Sequence, residues 1–488
     1  MIMDPVIFRE YDVRGVVGKQ FDKDFQRKQI LFDLSGAQEL KALQGLEAMP
    51  ENNTFEIAEK EVAYRSFLSQ ARTSRLAHAA NILVGAFLMS KREGDEALIP
   101  TSATLYLTLI GDTIPTAQQG ALAAAQATCL DARVLHWPLA FPQVFASGGF
   151  DCVLGNPPWE RIKLQEEEFF ATRHRDVAEA KNKAERSQRI QWLAEGMLAK
   201  HLFPQLEHAL HECEAEQRLY AEFISARRTA EAASVFAHVK GEDGGRYPLT
   251  GVGDVNTYAL FAETISQITH ARGRAGFIVP TGIATDDGTK VYFANLTQIG
   301  RLVSLFDFEN RDAVFPSVHR SFKFCLLTLG EAPQAEFVFF ASQVGQLSDI
   351  RRRFRLTSDE FRLINPNTLT CPVFRSNRDS ELTKKLYRVA PVLIEDAAPN
   401  GNPWGLFFHT RFFHMAEDSH HFLPSSNKQG VAIYEAKMMH VYDHRWATYD
   451  ESGEESRDCS ILEKSNPFFE PTPRYRVDER EFIKRVND

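Results

Sequence analysis

Four short apolar runs stand out from a chain that otherwise reads mainly as helix. Phe150–Gly155 (FDCVLG), Gly276–Pro280 (GFIVP), Leu302–Phe308 (LVSLFDF) and Phe322–Leu329 (FKFCLLTL) have the length and near-continuous hydrophobicity of buried strands. The first ends at its own glycine, the second at its proline, and the last at Gly330. A helical pattern covers Thr257–Ala271, just before the second run. Residues 26–130 are Ala/Leu/Gln-rich and mostly helical, broken at Pro100-Thr-Ser and Gly111–Pro115. Val134–Phe145 reads as an aromatic, proline-bearing connector. Residues 160–240 carry Glu, Lys, Arg, Ala and Gln around apolar positions at helical spacing, which predicts two or three charge-laced helices. Beyond about 335 the pattern turns irregular, aromatic and rich in Asn/Pro turns. Strand–helix–strand order with parallel-type runs predicts half of a doubly wound α/β sheet.

Composition narrows the class. At 488 residues, 44% hydrophobic and 25% charged, the chain is long enough for several domains and has the balance of an ordinary globular protein. No apolar run has the length of a membrane span and no signal-peptide core opens the chain, so the expected compartment is cytoplasmic, without membrane attachment. The six cysteines form no CxxC pair and no metal-ligand spacing. Cys152 and Cys325 lie within strand-like runs and are expected to be buried, reduced thiols. A net charge of −9 argues against a nonspecific nucleic-acid coat but leaves room for a local basic cleft. Arg351-Arg352-Arg353 with Arg355, and Arg375 with Arg378, are local basic clusters; a solvated face is the plainer reading and a phosphate site the sharper one.

The residues with the clearest chemistry follow the first strand: Asn156-Pro157-Pro158-Trp159. The Asn156 side-chain oxygen and a proline carbonyl can both accept from an NH2 group, and Trp159 can stack on a planar heterocycle. Two prolines stiffen the turn and remove competing donors. The plain structural reading is a tight Pro-Pro turn capped by a buried tryptophan. Gly253-Asp254 and Asn256 read as the start of the Thr257 helix, with Asp254 or Asn256 as its cap rather than as ligands.

The stretch Phe150–Phe170 resembles the substrate-amine motif and following helix of adenine-specific DNA methyltransferases, in particular the large restriction-modification methylases. Gly253–Phe261, Gly276–Asp286 and Phe306–Leu329 are similar to later parts of the same domain, and Pro372–Arg378 and Tyr434–His440 to the start of a target-recognition region. The resemblance implies an α/β fold: a partial Rossmann-like class I methyltransferase sheet with helical insertions and a mixed α+β C-terminal target-recognition region. It implies S-adenosylmethionine as cofactor, double-stranded DNA with a flipped adenine as partner, and Asn156, Pro157, Pro158 and Trp159 as the catalytic set. Asn156 and the Pro157 carbonyl would hold the N6 hydrogens while Trp159 stacks on the base, whose extrusion costs about a few kcal/mol. Related turns also act on protein glutamine or RNA guanine amines; the charged insertion, the tryptophan and the aromatic C-terminal region favour DNA.

The family's glycine-rich cofactor loop and its acidic ribose partner are not found in the sequence. Gly85 stands alone, and Gly251-Val-Gly-Asp lies downstream of the motif. The first 25 residues resemble instead the opening strand of phosphomannomutase/phosphoglucomutase enzymes, without that family's phosphoserine or metal loops. The expectation is a truncated methylase: a leader over 1–25, a helical segment over 26–130, the C-terminal half of a catalytic domain over 131–335, and a partial target-recognition region over 336–488. The sheet should then have an open edge beside the motif strand. The expected function is methylation of adenine N6 in a restriction-modification system, incomplete in this chain. A missing upstream methyltransferase half is a possible partner. The alternative is a non-catalytic DNA-binding subunit or an inactive fragment. No PD…ExK-type nuclease signature stands out.

Overall fold

The structure is a computed structural model that describes residues 37–91, 94–110, 115–205, 213–239, 245–408, 412–415, 417–427 and 430–487. The leader reading of 1–25, and most of the turn at Gly111–Pro115, lie outside these residues. The chain divides into two compact units, Met1–Ala397 and Ala398–Asp488.

The first unit opens with helices α1 (Ala37–Glu47), α2 (Thr54–Arg72), α3 (Arg75–Leu88), α4 (Ser102–Ile110) and α5 (Thr116–Asp131). Asn53 and Ser74 cap α2 and α3, each accepting from N–H groups of the first turn. Gly85 has a packing role: a Cβ there would stand 2.8 Å from Ala125 Cβ, so the glycine sets how closely α3 approaches α5. Strand β1 (Phe150–Gly155) follows. After it come several short helices and two longer ones, α6 (Lys183–Glu195) and α7 (Glu214–His238). Phe169, Phe170, Val177, Leu193, Leu198 and Phe223 give this insertion its own small core.

Helix α8 (Thr257–Ile268) is shorter than the pattern predicts. Thr269 turns extended (φ −80°, ψ 128°) and opens β2 (Thr269–Pro280), because pairing with Phe150 outweighs another helical turn. Then come helix α9 (Lys290–Gln298) and strands β3 (Leu302–Glu309), β4 (Lys323–Leu329), β5 (Ala335–Ala341) and β6 (Phe354–Leu356). Helices α10 (Ser358–Ile364) and α11 (Asn377–Val389) end the unit's regular structure.

The six strands form one sheet in the order β1-β2-β4-β3-β5-β6. It is an α/β sheet as expected, but mixed rather than parallel. β1 is parallel to β2 and β3 to β5, whereas β4 runs antiparallel to both β2 and β3, and β6 to β5. The cause is connection chemistry: β3 and β4 are joined by a loop and not by a crossover helix, so β4 returns beside β3 in the opposite sense. β1, β2, β3 and β5 therefore point their carboxyl ends the same way, and β4 begins at that end.

One face of the sheet is closed. Val279, Leu305, Cys325, Leu327 and Phe337 pack under Tyr258, Ala262, Tyr292 and Phe293 of α8 and α9, all buried. The other face has a smaller cluster of Phe308, Phe324, Val338 and Ala341. β1 is an edge strand, and Leu154, lying against Gly276, is 81% exposed. Cys325 is fully buried, but Cys152 is exposed, contrary to expectation, since an edge strand leaves it uncovered.

The second unit contains a three-stranded antiparallel sheet of β7 (Phe422–Pro424), β8 (Val431–Ala432) and β11 (Tyr475–Val477), ordered β7-β11-β8. It also holds the β9 (Ala447–Tyr449) and β10 (Ser456–Asp458) pair and helix α12 (Glu479–Asn487). Among the described residues of the chain, no helix is long and apolar enough to cross a membrane.

Gly149 seats β1 against β2. Its φ is +120°, and a Cβ there would lie 2.6 Å from the Ile268 carbonyl oxygen and 2.8 Å from the His270 nitrogen. Gly149→Ala is expected to lower unfolding free energy by about 1–3 kcal/mol or more, read by urea denaturation. An unchanged midpoint would show that this junction does not constrain the strand.

Candidate functional site

The carboxyl end of an α/β sheet is where strand tips and their loops leave space for a ligand. Here that end carries both the Asn156–Trp159 turn and a cavity of about 450 Å³ beyond β2. The turn is fastened from below by the residues that start α8. The Thr257 hydroxyl donates to the Pro158 and Glu160 carbonyls, at 2.9 Å each, and the Thr257 N–H donates to Glu160 at 2.9 Å. The Ile162 N–H reaches the Val255 carbonyl at 3.3 Å, and Lys163 pairs with Asp254 at 2.9 Å.

This arrangement corrects the capping expectation. Asn256 occupies the N-cap position of α8 but makes no side-chain capping bond. Asp254 faces Lys163, whose ammonium holds its carboxyl below the usual range, first through their hydrogen bond and then through charge. The helix start is spent on holding the motif turn.

The four motif residues are brought together in one turn with distinct surroundings. Asn156 is exposed, Pro157 buried, Pro158 exposed and Trp159 half-buried. Pro158's carbonyl is occupied by Thr257, whereas neither the Asn156 amide nor the Pro157 carbonyl has a hydrogen-bond partner among the described residues. Those two acceptors are the ones an incoming NH2 group would need. Gly155, one residue earlier, has open space where a Cβ would point.

Trp159 is turned inward. Its indole N–H donates to the Ile278 carbonyl at 3.2 Å. Its ring stacks on Phe322 (centroids 5.7 Å apart, planes 8° apart) and on Phe324 (6.1 Å, 26°), with Phe315 edge-on at 5.5 Å. Phe322 remains 38% exposed, so this aromatic group keeps an accessible ring. Phe322 was visible in the sequence only as the first residue of a strand-like run. Phe315 and Thr257 gave no signal that separates them from ordinary loop and helix residues.

The cavity is lined by Pro280, Thr281 and Asp286 on one side and by His319, Phe322 and Lys323 on the other, with Asp307 also on its wall. Asp307 is 1% exposed. Its two oxygens accept from the Thr281 hydroxyl (2.6 Å) and the Phe340 N–H (2.9 Å), tying the loop after β2 to β5. Phe340 has φ +58°, a left-handed conformation that a non-glycine residue keeps only when its surroundings enforce it. Burial pushes the Asp307 carboxyl above its ordinary range, against the two hydrogen bonds and Lys323, which favour the charged form. Burial also pushes the thiols of Cys325 and Cys371 well above their usual value, so both are inert as nucleophiles here.

Residues 96–191, which include the motif turn, match the family model described as Eco57I restriction-modification methylase. Among curated proteins no match was found. Solved structures with similarity include a "modification subunit of a putative type I restriction enzyme from Vibrio vulnificus YJ016" (11% identity, 65% of this chain and 66% of that chain, TM-score 0.18). A second is the type IIG restriction endonuclease BpuSI (13%, 56% and 39%, TM-score 0.17). A third is a nuclease-deletion mutant of the Type ISP restriction-modification enzyme LlaGI in complex with a DNA substrate mimic (8%, 67% and 35%, TM-score 0.15). The chain thus spans just under two thirds of the first and less than half of the other two, and overlays this loose assign no role to its residues.

Asp307 gives the site a pH signature. Because its folded pKa is raised, the folded state holds a proton that the unfolded chain has released above about pH 4. Its contribution to stability is therefore full below that pH and is lost as pH rises through the folded pKa. Relative to Asp307→Asn, the wild type is expected to lose stability across that window, at no more than about 1.4 kcal/mol per pH unit. Parallel stability–pH curves for the two proteins would show the carboxyl to be unperturbed.

Proposed function

We propose, from the restriction-modification methylase match over residues 96–191, that this chain holds the exocyclic amine of a DNA base for methylation, and that the base is adenine. The observation that carries the reading is the pair of acceptors without a partner among the described residues, the Asn156 amide oxygen and the Pro157 carbonyl, at the tip of β1 while the neighbouring Pro158 carbonyl is tied down. The lone pair of an aromatic amine is delocalised into its ring. Two acceptors drawing on the two N–H bonds bias the nitrogen toward tetrahedral geometry and localise that lone pair. No carboxylate need act first, since the proton can leave after the new bond has formed.

The base must leave the duplex to reach this turn. The Trp159–Phe322 pair supplies the aromatic surface for it, with Phe322 as the accessible ring and Trp159 as its fixed backing. Base–aromatic stacking of this kind typically contributes about 1–3 kcal/mol. Cytosine N4 would satisfy the same acceptors; the choice of adenine rests on the likeness of the motif and its flanking segments to adenine methylases.

S-adenosylmethionine is the expected methyl donor. The described residues around Asn156 do not fit it: Gly155 faces open space, Leu154 is exposed, and β1 has a strand neighbour on one side only. The turn thus has the wall for the amine without a second wall for the donor, and no step is derived through the cofactor. That same open edge favours a second reading, in which the chain is a DNA-binding subunit and another polypeptide brings the donor.

Purified protein, tritiated S-adenosylmethionine and unmethylated DNA separate the readings. Labelled DNA that digests to N6-methyladenine, with Asn156→Ala reducing transfer by about 10²-fold or more at unchanged folding stability, is the expected result for an autonomous enzyme. N4-methylcytosine would correct the base. DNA binding without transfer by the wild type would leave the subunit reading, and neither binding nor transfer would remove both.

A further inference from the structure

The basic clusters seen in the sequence are divided by the fold. Arg351 is spent on Asp349 at 2.9 Å, while Arg353 and Arg355 both face Glu336, at 2.5 and 3.4 Å. Arg352 reaches the Phe340 carbonyl at 3.5 Å and adds to the positive field on Asp349. Arg375 is placed differently. Its guanidinium carbon lies 4.3 Å from the centroid of the Phe340 ring, and the Lys323 ammonium lies 5.1 Å from the same centroid.

Neither cation forms an ion pair among the described residues, and both side chains are exposed. Two acids lie near Lys323: Asp307, whose oxygens are already committed to Thr281 and Phe340, and Glu309, its register partner on β3, which pairs with Arg311 at 2.9 Å. Asp286 lies on the cavity wall. The ring face offsets part of the positive charge, but two cations held on one ring still repel each other. An oxyanion beside either cation would offset that repulsion and gain charge-assisted hydrogen bonds. Phe340 is a firm platform for this, with its backbone bonded to Asp307 and its φ left-handed.

We propose that Lys323, on the cavity wall, and Arg375, over the same Phe340 ring, bind phosphate, taking the phosphodiester backbone of a DNA strand. The inference rests on the reading of the chain as acting on a DNA base. Its geometry is specific: Phe322 turns to Trp159, and the next residue, Lys323, turns to the Phe340 ring that Arg375 also covers. One strand end thus presents a ring for a base and a cation for the backbone beside it. Such contacts position a strand without reading its sequence.

Duplex binding should be measured by fluorescence anisotropy over a range of salt concentrations for wild type, Lys323→Gln, Arg375→Gln, the double variant and the charge-keeping Lys323→Arg. Each neutral variant is expected to weaken binding and to flatten the log K against log salt slope by about 0.9 for each phosphate that is no longer neutralised. Lys323→Arg should keep the slope, and melting temperatures should not change, because both side chains are exposed. In parallel, inorganic phosphate is titrated against wild type and double variant by phosphorus NMR. Loss of phosphate binding with duplex binding intact would assign the pair to a free phosphate and overturn the nucleic-acid site. Equal slopes with duplex binding intact overturn this site alone. A wild type that binds no duplex at any salt overturns both the site and the proposed function.

Discussion

The Thr257 hydroxyl holds the candidate site in its present form. One side-chain oxygen, at the first residue of α8, ties down the carbonyls on either side of Trp159. That bond determines which acceptors of the turn are satisfied within the protein and which remain for a ligand. It also joins two segments nearly a hundred residues apart, across the whole helical insertion between β1 and α8. The insertion has its own core of phenylalanines and leucines, so its packing does not have to be shared with the sheet. The site consequently depends on a local clamp more than on the bulk of the intervening chain.

Asp307 does for the cavity what Thr257 does for the turn. It is a carboxylate in a place where charge is costly, kept there by two directed hydrogen bonds. Removing either partner would leave an unsatisfied group at the cavity wall, a loss of about 1–3 kcal/mol. The strained φ of Phe340 shows the same constraint from the other side, since the backbone is held where a Cβ is unwelcome. Two polar anchors thus fix the loops around the cavity, and the aromatic residues between them adopt the orientations that remain.

Much of this was legible in the sequence, and the gaps have physical causes. The strand Phe150–Gly155 and the motif turn after it stood out because an apolar run ending in glycine and two prolines leaves few alternatives. The direction of β4 was not legible, because parallel and antiparallel buried strands have the same apolar pattern; loop length decides between them. The exposure of Cys152 escaped for a similar reason, as an apolar run looks the same whether or not anything covers it. The pairing of Trp159 with Phe322 joins positions that no local periodicity connects. Arg351–Arg355 read as one basic cluster, yet Asp349 and Glu336 lie outside the run and neutralise only some of it.

The edge of β1 that is unpaired among the described residues has a consequence for handling the protein. A strand with unpaired peptide groups along one side, and a leucine standing out from it, is a template on which any other extended chain can add. The irregularity in the β1–β2 ladder lies at Phe150–Cys152, Leu154 and Gly155 are uncharged, and Asp151 is the only charge on the strand. Concentrating the protein is therefore expected to favour strand-to-strand association at this edge. A lysine in place of Leu154 is the simplest solubilising change, because it keeps the backbone free while charging the rim.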